Sequence, residues 1–195
     1  LNWLGNNTSS YQQWYELKSS DPLAYDRLIS LCDTINNTPA GAGYVQAVED
    51  TLALDRTLWT LALENAFMDS DGYVHKGSDY AIYRDDVHER WNLLQRDGNE
   101  AFGSFNINGW GTSGTVNLHP DYDINNTDLP LMNRLLTIPV VRERYLAHFK
   151  TILEEWMDWV VVGPLVADWA NLIRAEVQAD TKKIYSFADY TTNLF

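Results

Sequence analysis

Leu54, Leu58, Leu61 and Ala62 follow one another at spacings of three and four, the period that keeps side chains on one face of an α-helix. Trp59, Leu63 and Phe67 widen that stripe until it nearly encircles the helix, which predicts a helix over roughly 44–67 buried in the middle of a domain. An earlier helix is marked by Ser20-Asp21-Pro22, a cap followed by Pro at the first helical position, and by the periodic Leu23, Leu28, Leu31 and Ile35. The run from Asn36 to Gly43, rich in Asn, Pro and Gly, ends it. Residues 11–18 predict one or two helical turns.

The pattern changes after Phe67. Asp69-Ser-Asp71-Gly72 reads as a loop, and Tyr80-Ala-Ile82-Tyr83 and Trp91-Asn-Leu93-Leu94 read as short strands joined by the polar residues 85–89. An antiparallel pair of these strands brings Asp79 and Asp97, at its two open ends, close together. Residues 103–128 have few apolar positions and predict a long structured loop. Helical spacing returns at 129–136 and again from Pro139, through Val140, Tyr145, Phe149, Ile152, Leu153 and Trp156. Gly163-Pro164 is expected to break the chain before a further helix from Leu165 to Val177, and a last segment holds Tyr185, Phe187 and Tyr190. No repeat and no linker divides the 195 residues. The expectation is a single domain over 1–195, mainly α with a small β-hairpin.

Composition narrows the function classes. Apolar residues make up 45% of the chain, enough for a globular core. The formal charge of −13 argues against a nucleic acid partner, since neutralising phosphates takes clustered Lys and Arg. No apolar run reaches the length of a membrane span. Cys32 is the one cysteine, so no internal disulfide forms, and its place in an apolar-periodic stretch predicts a small core residue. The chain opens at Leu1 without Met or a signal peptide, as a processed form or an excised domain would.

Several motifs fail on their context. Gly109-Trp-Gly111-Thr-Ser-Gly114 spells G-x-G-x-x-G, but the residues that follow do not open a helix to meet a pyrophosphate. Asp69-Ser-Asp71-Gly72 resembles an EF-hand loop, yet that register puts Phe67 and Ser78 where carboxylates must stand. His75, His88, His119 and His148 show no helical zinc spacing, and there is no G-x-S-x-G.

What remains is a set of oxygen donors at strand ends and loops: Asp71, Asp79, Asp97 and Asn99. Hard cations take such ligands, and phosphoryl transfer needs one carboxylate for the acceptor hydroxyl and another to hold metal over the phosphates. Lys76 lies beside these acids as a candidate phosphate contact, or simply as an exposed lysine. Turn and capping roles are open to the same residues, as is a structural cation site, calcium included.

At these residues the chain resembles the spore coat protein H family, the CotH kinases, which are atypical protein kinases of secretory type. The likeness runs through Leu58-Trp-Thr-Leu-Ala-Leu-Glu-Asn65, Asp69-Ser-Asp71-Gly-Tyr73, Asp79-Tyr-Ala-Ile-Tyr83, Asp97-Gly-Asn-Glu-Ala-Phe102, Pro130-Leu-Met-Asn-Arg-Leu-Leu136 and Val141-Arg-Glu-Arg-Tyr145. It implies the helical C-terminal lobe of a kinase-like fold and ATP- and Mg-dependent phosphoryl transfer to Ser/Thr hydroxyls of a protein, with Mn or Ca as other possible metals. Asp71 then matches the aspartate that orients the acceptor hydroxyl. Asp97 matches the magnesium-binding aspartate, and Asp79 stands where many members carry a metal-contacting Asn. Asn99 departs from the family's Pro-Trp-Asp-x-Asp, replacing an acid by an amide. No segment resembles the nucleotide-clamping lobe, which residues before Leu1 would be expected to hold, leaving this chain inactive alone. A non-catalytic interaction module of a coat or cell surface is the alternative expectation, and either reading implies an extracellular, cell-surface or spore-coat location.

Overall fold

The computed structural model describes residues 1–102 and 118–193. The G-x-G-x-x-G stretch and most of the expected long loop lie outside the described residues. Two compact units, Leu1–Phe149 and Lys150–Phe195, divide the chain.

In the first unit, α1 (Thr8–Gln12) is capped by Asn7, whose side chain accepts from the Ser9 amide. That cap starts the helix earlier than the 11–18 reading. Tyr15–Lys18 are not helical, and Tyr15 instead reaches the Tyr80 hydroxyl at 2.7 Å.

The helix α2 (Ala24–Asn37) begins after Pro22, not at it, because Asp21 accepts from the Leu23 amide at 2.9 Å and pairs with Arg27. Its last turn carries no basic residue to meet the carbonyls that every helix end leaves over. Arg134 supplies that cap from far along the chain, donating to Ile35 O at 3.0 Å and Thr38 O at 2.6 Å and lying over the Tyr44 ring. Cys32 is fully buried on this helix, as its apolar context predicts.

The helix expected over 44–67 is two helices, α3 (Ala42–Thr51) and α4 (Leu54–Ala66). Leu52 is extended between them and bridges to Trp91, and the Ala53 amide donates to Trp91 O at 2.8 Å. A pairing across the fold thus overrides a helical period that is continuous in sequence. On α4, Leu58, Leu61 and Ala62 are fully buried, while Leu63 stays partly exposed, so the stripe does not close around the helix.

The expected hairpin is present. β1 (Tyr80–Arg84) and β2 (Trp91–Gln95) pair antiparallel with Tyr80 opposite Gln95 and Arg84 opposite Trp91. β2 packs on α4. A π-helical turn, Leu131–Leu135, occupies the expected short helix, and α5 (Pro139–Thr151) begins at Pro139 as the sequence predicts. Asn65 ties the segment before it to the core: its amide donates to Pro120 O at 2.7 Å and to the Tyr145 hydroxyl at 2.8 Å, and that hydroxyl donates to Pro120 O.

In the second unit, a π-helical turn (Ile152–Trp156) precedes α6 (Trp159–Ala179), which Asp158 caps. Gly163-Pro164 lies inside α6 and does not end it. Pro164 is the sixth residue of α6, past the first turn, so the helix runs on without the bond an amide there would make to Val160 O, and buried Gly163 packs on the Trp159 ring, which a Cβ would meet at 3.0 Å. A capping box at Ser186 and Asp189 opens α7 (Phe187–Thr192), held to α6 by the Tyr190 hydroxyl on Ala170 O and by Arg174 over the Phe187 ring. Among the described residues no helix is long and apolar enough to cross a membrane.

Leu61 is fully buried at the centre of α4. Leu61→Ala is expected to lower unfolding free energy by about 2–5 kcal/mol in a urea titration, with no change in helix content at low denaturant.

Candidate functional site

The end of α4 delivers the chain into the acidic loop through a left-handed turn at Met68, with φ of 51°. The Asp69 amide folds back to donate to Glu64 O at 2.9 Å, and the Val74 amide donates to Glu64 Oε2 at 3.1 Å. Asp71 stands between those two anchors. Its carboxylate accepts from the Ser78 hydroxyl and pairs with Lys76 at 2.5 Å. The Lys76 ammonium, then the Ser78 hydroxyl, hold the Asp71 carboxyl below its ordinary range.

The hairpin carries the second part of the site. Its open end is closed by the Arg96 amide donating to Asp79 O at 3.1 Å, which sets Asp97 beside Asp79. Asp97 is left-handed, with φ of 54°, and starts the 3-10 turn Gly98–Glu100 that carries Asn99. Three contacts fasten this segment to the acidic loop. Gln95 donates to Asp69 Oδ2 at 3.0 Å, the Ser70 hydroxyl donates to Glu100 Oε2 at 2.8 Å, and the Phe102 amide donates to Phe67 O at 2.6 Å.

The electrostatics report the convergence of the acids. The Asp79 carboxyl is pushed above the ordinary aspartate range by loss of water contact and then by the negative charges of Asp71 and Asp97. A carboxyl pKa raised by neighbouring carboxylates is lowered again when a cation binds beside it. Among the described residues no three His, Cys, Asp or Glu side chains form a ready metal cluster. By donor type alone, two carboxylates and an amide at Asp79, Asp97 and Asn99 are ligands of the kind magnesium takes, its shell being completed by water and phosphate oxygens. Lys76, with its side chain 59% exposed, is placed on Asp71 and also feels the charges of Glu100 and Asp79.

Sequence reasoning missed Glu64, Asp69, Ser78, Gln95 and Glu100. Glu64 carried a signal: it continues the period of Leu54, Leu58 and Leu61, where an acid does not belong. It is 1% exposed, and its Oε1 has no hydrogen-bond partner among the described residues. Asp69 is likewise buried, with Oδ1 unpartnered. Burial, and next to it the Asp69 charge, push the Glu64 carboxyl up to about 7, against the downward pull of the Val74 amide. His75, which shows no zinc spacing in the sequence, meets Asp123 through Nδ1 at 2.9 Å and so joins the loop to the segment before the Leu131–Leu135 turn.

The raised Glu64 pKa has a definite sign. Its protonated form is favoured in the fold, so the stabilisation is fully present below its ordinary value of 4.5 and is lost as pH rises through about 7. Denaturant titrations across that window should show stability falling by on the order of 3 kcal/mol more in the wild type than in Glu64→Gln. Parallel profiles for the two proteins would contradict the assignment.

A family model described as CotH kinase protein matches residues 1–194. No curated protein matches the chain.

Proposed function

We propose, because this chain belongs to the CotH kinase protein family, that it supplies the helical C-terminal lobe of a kinase transferring a phosphoryl group from ATP to Ser/Thr hydroxyls of a protein. The observation that supports the reading is the upward push on the Asp79 carboxyl, from loss of water contact first and then from the charges of Asp71 and Asp97.

In this reading Asp71 stays ionised, because Lys76 and Ser78 favour its charged form, and it is therefore able to accept a hydrogen bond from an acceptor hydroxyl. As that oxygen bonds to the γ-phosphorus of ATP and the bond from that phosphorus to the β-phosphate oxygen breaks, ADP leaves and Asp71 receives the hydroxyl proton. Asp97 and Asp79 would supply the charged oxygens for magnesium, and Asn99 a neutral one, which would lower the ligand charge relative to an acid at that position. The metal, when bound, neutralises the charge that develops on the phosphates. Lys76 is assigned to a phosphate oxygen, from its exposed ammonium beside the acids. The substrate hydroxyl belongs to a protein of a coat, cell surface or extracellular setting, in keeping with the family's association.

Two measurements test this together. ATP with magnesium should raise the melting temperature by several degrees, as binding to the folded state alone requires. Transfer from labelled ATP to protein should fall by about 10²-fold or more in Asp71→Asn and in Asp97→Asn, with the thermal shift kept in the first and reduced in the second. A melting temperature indifferent to ATP and magnesium, or transfer that survives both substitutions, would contradict the proposal. The first result, with salt-sensitive protein binding, would favour a non-catalytic acidic interaction module instead.

A further inference from the structure

Glu64 occupies a position that packing alone does not justify. A carboxyl that is 1% exposed, with one oxygen unpartnered among the described residues and a second buried acid nearby, is a poor filler for a helix face. An apolar side chain of similar size would avoid that desolvation. What such a side chain could not do is accept a hydrogen bond from the Val74 amide.

The same residue meets the acidic loop at both of its ends. Its backbone oxygen takes the Asp69 amide at 2.9 Å, and its side chain takes the Val74 amide at 3.1 Å. Between them, Gly72 lies flush on the carboxyl, so that a Cβ built there would meet Glu64 Oε2 and Cδ at 3.0 Å. Asp71 is carried on this span. Its two partners, Lys76 and Ser78, lie two and four residues after Val74. Letting go of Val74 therefore loosens the Asp71 carboxylate and the groups that orient it at the same time.

We propose that Glu64 is a positioning residue: by gripping the Asp69–Val74 loop at both ends, it fixes where the Asp71 carboxylate stands for the acceptor hydroxyl. This rests on the reading of Asp71 given above. The grip requires an acceptor oxygen at the end of the side chain and does not require a negative charge. Glutamine should therefore replace glutamate, and leucine should not.

The test uses the full chain and reads amide hydrogen exchange at Val74 beside steady-state transfer from ATP with magnesium. Glu64→Leu should speed Val74 exchange about tenfold or more, and lower kcat by about 10- to 100-fold while KM for ATP stays within about twofold, since misplacement acts on the reacting geometry and not on nucleotide affinity. Glu64→Gln should keep both quantities within about threefold of wild type. Gly72→Ala, which presses a methyl group against the carboxyl, should give the same split as Glu64→Leu and stands in for it if the leucine variant does not fold. Unchanged Val74 exchange in the impaired variants, faster exchange with unchanged kcat, or a glutamine variant as impaired as the leucine one would each overturn the proposal. Failure of the Asp71 reading would show separately, as transfer that survives Asp71→Asn, and Val74 exchange judges the grip in either case.

Discussion

Tyr80 opposite Gln95 is the pairing on which the arrangement of the site depends. Because side chains alternate along a strand, a slip of one residue would turn every side chain of β1 to the other face and carry Asp79 away from Asp97. The register is held at one end by the Arg96 amide on Asp79 O and at the other by the Asp85 amide on Arg90 O. Below it, β2 rests on α4 and Trp91 fastens the break between α3 and α4, so the hairpin and the helix that delivers the acidic loop are positioned by one set of contacts.

That arrangement assembles like charges at an energetic disadvantage. Asp71 offsets its own charge through Lys76 and Ser78, whereas Asp79 is left with the repulsion of its neighbours. Beneath them, Glu64 and Asp69 are buried acids with unpartnered oxygens, a second departure from what stability alone would select. Departures from local rules concentrated in one stretch of a chain are the usual mark of a functional site. The anchors at Glu64, Gln95 and Glu100 hold the loop in spite of this repulsion.

Features encoded locally were legible in the sequence. The hairpin was visible in its two apolar runs and polar connection, α5 in Pro139 at its start, and the closeness of Asp79 and Asp97 in the antiparallel geometry. Features that depend on distant partners were not. The interruption at Leu52 needs Trp91, and the end of α2 needs Arg134. The continuation of α6 through Pro164 was hidden as well, because a Gly-Pro pair reads locally as a break. The approach of Asp71 to the hairpin acids comes from the Ser78 hydroxyl and the ties of Ser70 and Asp69, none of which spacing displays. Glu64 was the intermediate case: its place on an apolar stripe was plain, but the amide it serves lies in a loop whose path a sequence does not reveal.

The most direct measurement is the titration of the Asp79 side-chain carboxyl, followed by carbon NMR with and without magnesium. Without the metal its midpoint should lie above the ordinary value of 3.8, through burial and the charges of Asp71 and Asp97, and it should fall when magnesium is added. A midpoint at or below the ordinary value, or one that magnesium leaves unmoved, would contradict the claim that these acids form one cation-binding site.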